Sequence, residues 1–408
     1  MSPPSPPIAL PATAARSNPS AFPSQRDRRW PFWPAAPLYP YGTRWTRCQE
    51  VIPDQVWTFD QVQGILYVIV PIRMTVVRLA AGGLLVYAPI APTAECLGQL
   101  QALIDRHGPI KYIILPTVSA IEHKVPAGPF AQKFPSAQVY VAPHQWSFPL
   151  NLPLSWLGLP GDRTQLLPAH SADSPFAADF DYEILGPIDL KVGPFEEAVF
   201  FHRASQTLLV TDSVMSIPAQ PPAVMDLDPY PLLFHARDRA LDPILDSPAR
   251  RTKGWQRITL FSFYFRPSAL AEVRWGQVLR DVRQASDRSS RAYFGLFPFQ
   301  WQEHWQQSFE TLRNGGQLFV APVLQKLILN RSPQQVLDWV DRVARWDFTQ
   351  VIPAHFDAPV NATPAAFRQA FDFLEQRSQL PEQDLALLNQ IDQLLRSVMP
   401  PPKGHGDQ

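Results

Sequence analysis

Four residues of this chain have side chains that commonly bind metal ions, and each lies close to the end of an apolar stretch. Glu122 and His123 are adjacent and follow the run that ends at Leu115, while Asp212 ends the segment LLVTD and His355 ends the segment QVIPAH. Two imidazoles and two carboxylates suit Zn, Fe or Mn better than copper. We therefore hypothesise that Glu122, His123, Asp212 and His355 bind one metal ion.

The apolar stretches before these residues are predicted to be buried β-strands. In layered α/β folds, sites form at strand ends, because the loops converge there while the strands hold them rigidly. Pro116 stops the first of these strands, and the polar turn after it is predicted to be a tight loop that directs Glu122 and His123 at one point. The second and third strands would then supply Asp212 and His355.

The pattern before residue 143 predicts a layered α/β sheet. The predicted order is a hairpin that turns at Gly82-Gly83, a helix from the N-cap Thr93 to about His107, a strand to Leu115, a short helix near Pro129–Phe134 and a strand at Gln138–Ala142.

The second half of the chain resumes the strand pattern after a loop-rich stretch. The predicted order is strands at Tyr182–Leu185, Glu197–Phe201 and Thr207–Val210, a helical insertion at about 216–320, a helix that begins at Ser332-Pro333, a strand at Thr349–Ile352 and C-terminal helices within 361–398. Within the insertion, the aromatic segment Trp255–Arg266 is interpreted as a buried packing element in preference to a lid or a membrane contact.

Composition limits the classes of function. The 408 residues include 36 basic and 36 acidic ones, and this zero net charge argues against broad nucleic-acid binding. No apolar run reaches the roughly 18 residues of a transmembrane helix. Residues 1–45 are rich in proline and are predicted to be a disordered tail followed by an aromatic arm that includes Trp30, Phe32, Trp33 and Tyr39. Residues 46–408 are predicted to form one domain.

The segment TVSAIEH at Thr117–His123 resembles the metal-binding motif T-H-x-H-x-D-H of the metallo-β-lactamase superfamily. His123 matches the last histidine, and Glu122 stands at the position of the aspartate. LLVTD matches the strand that ends in the family's bridging aspartate, at Asp212, and VIPAH matches the strand that precedes its last histidine, at His355. The resemblance implies an αββα sandwich.

The same comparison implies that half of a two-metal centre is lost. The first two histidines of the motif are replaced by Val118 and Ala120, and no histidine occurs near Gly193–Phe195. In two-metal members these three histidines form one site, and the four matched positions form the other. More narrowly, the reduced motif and the segment GWQRITL are similar to the family called domain of unknown function 4336, which implies a cyanobacterial or plant-plastid source.

Two hypotheses of function follow from this resemblance. The first is a metal-dependent hydrolase with at most one ion, Zn, Fe or Mn, and with no catalytic residue identified beyond the ligands. The second is a non-catalytic protein of the same fold that binds a small molecule or a protein through the aromatic helical insertion, in which the polar residues hold loops together. A third hypothesis, which does not depend on the resemblance, is a role at the membrane surface. The predicted location is the bacterial cytoplasm or, alternatively, the chloroplast, whichever hypothesis of function holds. No other cofactor is expected.

Overall fold

The structure, a computed structural model, describes residues 24–30, 38–39, 42–65, 67–145, 153–190, 193–285, 287–376 and 380–398. Its strands are β1 (Leu38–Tyr39), β2 (Arg47–Ile52), β3 (Val56–Ile65), β4 (Val68–Arg78), β5 (Leu84–Tyr87), β6 (Ile110–Leu115), β7 (Gln138–Val141), β8 (Thr164–Leu166), β9 (Phe180–Asp189), β10 (Pro194–His202), β11 (Thr207–Val210), β12 (Gln350–Pro353) and β13 (Val360–Asn361). Its α-helices are α1 (Ala94–His107), α2 (Ile121–Lys133), α3 (Tyr230–His235), α4 (Pro248–Tyr264), α5 (Trp275–Gln284), α6 (Trp305–Arg313), α7 (Pro322–Leu327), α8 (Pro333–Val343), α9 (Pro364–Gln369) and α10 (Ala386–Val398).

The strands form two sheets. The first has the order β1-β3-β4-β5-β6-β7-β8, with β2 also paired to β3, and the second has the order β13-β12-β11-β10-β9. The pairs from β5 to β8 are parallel, and β11 is parallel to β12 although residues 211–349 separate them. The strands that precede the candidate ligands are therefore β6 in the first sheet and the neighbouring strands β11 and β12 in the second.

Alternation of side chains along the strands produces three apolar layers. One face of the first sheet packs on α1 and α2 through a cluster that includes Ile113 and Leu100. The other face meets the second sheet through a cluster that includes Ile114, Phe200 and Leu209. The far face of the second sheet packs on helices, among them α8 and α4. The described part of the chain is thus an αββα sandwich, and the predicted fold class is confirmed.

Local signals set the ends of α1 as predicted. The Thr93 side chain accepts a hydrogen bond from the backbone N–H of Cys96, and Gly108 ends the helix with a φ of 95°. Thr93 therefore satisfies one of the N–H groups that a helix N-terminus leaves unpaired, and Gly108 adopts a φ that residues with a Cβ rarely adopt.

Residues 216–320, predicted to be a helical insertion, contain α3 to α6, and their status as an inserted unit stays a prediction. The aromatic segment forms most of α4 and is largely buried, so its interpretation as a packing element is confirmed. Helix α4 approaches α3 so closely that a Cβ atom at Gly254 would lie 1.8 Å from the carbonyl oxygen of Leu232. Only glycine, which has no Cβ atom, fits at this contact.

The structure describes only part of residues 1–45, the predicted disordered tail and aromatic arm. Trp30 is buried, while Phe32 and Trp33 and the side chain of Tyr39 lie outside the described residues. A short 3₁₀ turn at Gln25–Arg28 joins the sandwich through an ion pair between Arg28 and Glu95 in α1. Among the helices that the structure describes, none has the length and apolar character needed to cross a bilayer.

Candidate metal centre

Glu122 and His123 lie in the first turn of α2, and the prediction of a tight loop around them was wrong. The helix spans Ile121–Lys133, whereas the sequence predicted a short helix only near Pro129–Phe134. Pro126 and Pro129 caused the error, because proline removes a helical hydrogen bond and usually breaks a helix. Burial of one side of α2 against the first sheet outweighs this cost.

The segment between β6 and α2 is attached to the second sheet by backbone hydrogen bonds. The N–H of Ala198 donates to the carbonyl of Pro116, and the N–H of Val118 donates to the carbonyl of Glu196. Thr117 forms a bridge with Glu197 in β10. The start of α2 is therefore fixed relative to both sheets.

His355 follows β12 and contacts two of the other candidate ligands. Its Nε2 lies 3.1 Å from Oε1 of Glu122 and 3.2 Å from Oδ1 of Asp212. Single ligand atoms of Glu122, His123 and His355 all lie within 4.8 Å of one another. The structure thus brings together all four residues that the sequence selected, with Asp212 joined to the other three through His355.

The Nδ1 atoms of both imidazoles face backbone carbonyls. Nδ1 of His123 lies 3.2 Å from the carbonyl oxygen of Pro89, and Nδ1 of His355 lies 3.1 Å from that of Pro71. Because a carbonyl can only accept, each Nδ1 carries the proton of this hydrogen bond. Hydrogen bonds of this kind orient the metal-binding histidines of proteins and leave Nε2 as the ligand atom.

Burial and charge set the protonation states of the metal-free site. Burial alone would lower the pKa of His355, but its hydrogen bonds to Asp212 and Glu122 raise that pKa to about 10. Burial opposes ionisation of Glu122, yet the hydrogen bond and charge of His355 lower the pKa of Glu122 to about 2. Burial also lowers the pKa of His123. The site therefore holds an imidazolium between two carboxylates, beside a neutral imidazole.

Glu197 holds the backbone that carries Asp212, and it is not among the candidate residues that the sequence pattern indicated. Its buried carboxylate accepts hydrogen bonds from the N–H groups of Thr211, Asp212 and Ser213, at 2.6, 3.1 and 2.8 Å. Burial and the charge of Asp212 raise the pKa of Glu197 to about 7, against the effect of these donors. Two adjacent carboxylates in the apolar strand PFEEAVFF were the available signal, because neighbouring strand residues face opposite sides.

Arg73 holds the loop that carries His355 and was also not selected. Its guanidinium donates to the carbonyl oxygens of Pro353 and Phe356, at 2.6 and 3.0 Å, and its Nε lies 2.7 Å from the buried carboxylate of Asp60. Arg73 therefore joins β3 and β4 of the first sheet to both sides of His355. Nothing in the local sequence distinguishes this arginine from a surface one.

The other carboxylate of the pair in β10 faces a different histidine. Glu196 is buried and accepts hydrogen bonds from the backbone N–H and from Nδ1 of His144, whose side chain is half-exposed. Glu196 thus stabilises the loop after β7 near the segment that leads into α2.

The residues present fit a metal ion. Nε2 of His123 is buried and has no hydrogen-bond partner among the described residues. A buried nitrogen acceptor without a partner costs free energy unless a cation or a proton donor satisfies it. Two oriented imidazoles and two carboxylates form a donor set that suits Zn, Fe or Mn.

The four-layer architecture, with ligand-type residues in the segments that follow β6, β11 and β12, defines a metallo-β-lactamase-like αββα sandwich. The profile of the family described as "Domain of unknown function (DUF4336)" matches residues 53–373. The chain therefore belongs to this family, as the reduced motif predicted. A search of curated proteins finds no match.

Solved structures similar to this chain share little sequence with it. The DIM-1 metallo-β-lactamase is 9% identical over 82% of this chain and 98% of its own, with a TM-score of 0.40. The Flv1 flavodiiron core from Synechocystis sp. PCC6803 is 9% identical over 81% of this chain and 61% of its own, with a TM-score of 0.40. A metallo-β-lactamase from Pontibacter korlensis is 14% identical over 43% of this chain and 76% of its own, with a TM-score of 0.31.

Proposed function

We propose that this protein is a metal-dependent hydrolase in which Glu122, His123, Asp212 and His355 hold a single Zn, Fe or Mn ion. The observation that carries the proposal is the unpaired, buried Nε2 of His123, together with the group of single ligand atoms of Glu122, His123 and His355 that all lie within 4.8 Å of one another. The losses at Val118, Ala120 and near Gly193 favour one ion over two. We also propose, from the reduced motif, that the protein has a cyanobacterial or plant-plastid origin.

The chain's own residues would orient and confine the reaction. When bound, a divalent ion of this kind supplies Lewis-acid chemistry. Pro89 and Pro71 hold the two imidazoles through their carbonyls, while Glu197 and Arg73 hold the segments that carry Asp212 and His355. Such support matters because a metal site tolerates only about 0.5 Å of misplacement.

Metal content of the purified protein tests the binding step. We expect about one equivalent of a transition metal in the wild type and far less in His123→Ala, because two imidazoles are needed for the donor set. His170→Ala, which removes an exposed imidazole elsewhere, is the matched control and should keep the metal. A metal content unchanged in His123→Ala would overturn the proposed site.

Hydrolysis tests the second step separately. We expect the metal-loaded wild type to cleave at least one of a set of chromogenic esters, lactams and phosphodiesters, and we expect His123→Ala to lose this activity with its metal. A protein that binds the ion at these residues and cleaves none of the probes would instead be the non-catalytic binding protein of the alternative hypothesis.

A further inference from the structure

Helix α5 exposes large apolar side chains on one side. The exposed fractions are 57% for Trp275 and 61% for Leu279, and Val273 just before the helix is 37% exposed. Of the ten residues in this helix, only Val278 is buried. A surface helix normally buries its apolar stripe, because the hydrophobic effect supplies most of its stability.

The exposed residues belong to a single stripe that is buried along one edge. At 100° per residue, Trp275, Val278, Leu279 and Val282 all lie on one side of α5. Val278 is buried, Val282 is half-buried, and Trp275 and Leu279 form the exposed edge. Helix α5 packs against the turn at Ser290–Gly295, which exposes Phe294 to 67%. Trp275, Leu279 and Val273 are called the α5 apolar edge below.

The stretch of sequence that contains this edge has an excess of positive charge. From Arg266 to Arg291, both included, there are six arginines and three acidic residues, in a chain whose 36 basic and 36 acidic residues balance. This stretch therefore has a net charge of +3, and the rest of the chain has −3. Arg280 and Arg283 are exposed on α5, and Arg283 lies one turn beyond Leu279 on the same side.

We propose that the α5 apolar edge and its arginines dock the protein onto the surface of an anionic lipid bilayer. A helix that places tryptophan and leucine beside arginines lies in the interface between headgroups and acyl chains, where the apolar edge is buried and the charges contact lipid phosphates. Nucleic acid fits less well, because Leu279 and Val273 would stay exposed to water. The proposal is independent of the metal site and of its chemistry.

Flotation of the full-length protein with lipid vesicles tests the proposal. We expect the wild type to float with vesicles of phosphatidylcholine and phosphatidylglycerol at low salt, and much less with phosphatidylcholine alone. Trp275→Gln with Leu279→Gln should lower the bound fraction at least about tenfold, since it removes the apolar contact. Arg280→Gln with Arg283→Gln should lower it by about fivefold per arginine on anionic vesicles only.

The chain offers a matched control for the apolar pair. Trp156 and Leu394 are exposed to 75% and 63% on other elements, so Trp156→Gln with Leu394→Gln removes the same two residue types away from α5. Because all four side chains are exposed, both double variants should keep the wild-type melting temperature. The control should float like the wild type.

Three results would overturn the proposal. One is a wild type that floats with neither kind of vesicle, and another is an equal loss of flotation in the two double variants. The third is a wild-type dimer in gel filtration that Trp275→Gln with Leu279→Gln converts to a monomer, since the edge would then belong to an interface between two copies of the chain.

Discussion

The imidazole of His355, just after β12, lies 3.1 Å from the carboxylate of Glu122 in the first turn of α2. This contact joins the segment after β12 of the second sheet to the helix that packs on the first sheet. It also places a proton, on Nε2 of His355, where a ligand atom for a metal ion is needed. Metal binding and proton release should therefore be coupled.

We predict that the metal-free protein releases about one proton per metal ion at pH 8. With a pKa of about 10, His355 carries protons on both nitrogens at this pH, whereas burial lowers the pKa of His123 and keeps it neutral. Titration calorimetry in two buffers with different ionisation enthalpies measures the number released. Zinc binding with no release of protons would contradict the ion-paired state of His355.

Glu197→Gln should destabilise the fold by about 2 kcal/mol. The carboxylate accepts hydrogen bonds from three backbone N–H groups, whereas the NH₂ group of glutamine is a donor and would face these donors. Urea unfolding measures the change. Glu183→Gln is the control, since this more exposed carboxylate pairs with Arg342 at the surface and should contribute at most about 1 kcal/mol. Equal losses of unfolding free energy in the two variants would contradict the role of Glu197 in holding the backbone that carries Asp212.

Arg73→Met should cost about 3–5 kcal/mol, because it leaves the buried carboxylate of Asp60 unpaired. Burial already raises the pKa of Asp60, and the charge of Arg73 opposes this rise. The same variant should bind metal more weakly, since the carbonyls on both sides of His355 lose their donor. Arg342→Met is the surface control, and a similar unfolding free energy for both variants would contradict the prediction.

Stability should fall below pH 6.5 because of His202. Its ring is buried against Phe180, and burial lowers its pKa to about 4 despite the nearby charge of Asp179. Between pH 6.5 and 4 the unfolded chain therefore binds the extra proton and the folded chain does not. The full contribution is present above pH 6.5, and up to about 3 kcal/mol is lost as the pH falls to 4.

Denaturant unfolding at a series of pH values measures this loss. His202→Gln should have a flatter profile than the wild type over this interval, whereas His170→Gln, at an exposed position, should keep the wild-type slope. His202 is the last residue of β10, and its side chain is buried. Phe180 and Ser205 enclose the ring.

Much of the fold and the choice of candidate ligands followed from the sequence, because both depend on short-range patterns. Alternating and continuous apolar runs identified the strands, and Thr93 and Gly108 identified the ends of α1. The polar residues just past three of those strands were then the natural candidates. Their selection required no knowledge of how the strands pair.

Tertiary structure decided what surrounds those candidates. Helix α2 continues through two prolines because burial outweighs their local cost, and Arg73 and Glu197 act on backbone atoms that are distant along the chain. His355 contacts Asp212 because β11 and β12 pair in parallel across residues 211–349. Sequence periodicity reports which side of an element is apolar, but it does not report which distant element packs there, and that packing determines the hydrogen bonds and charges of the site.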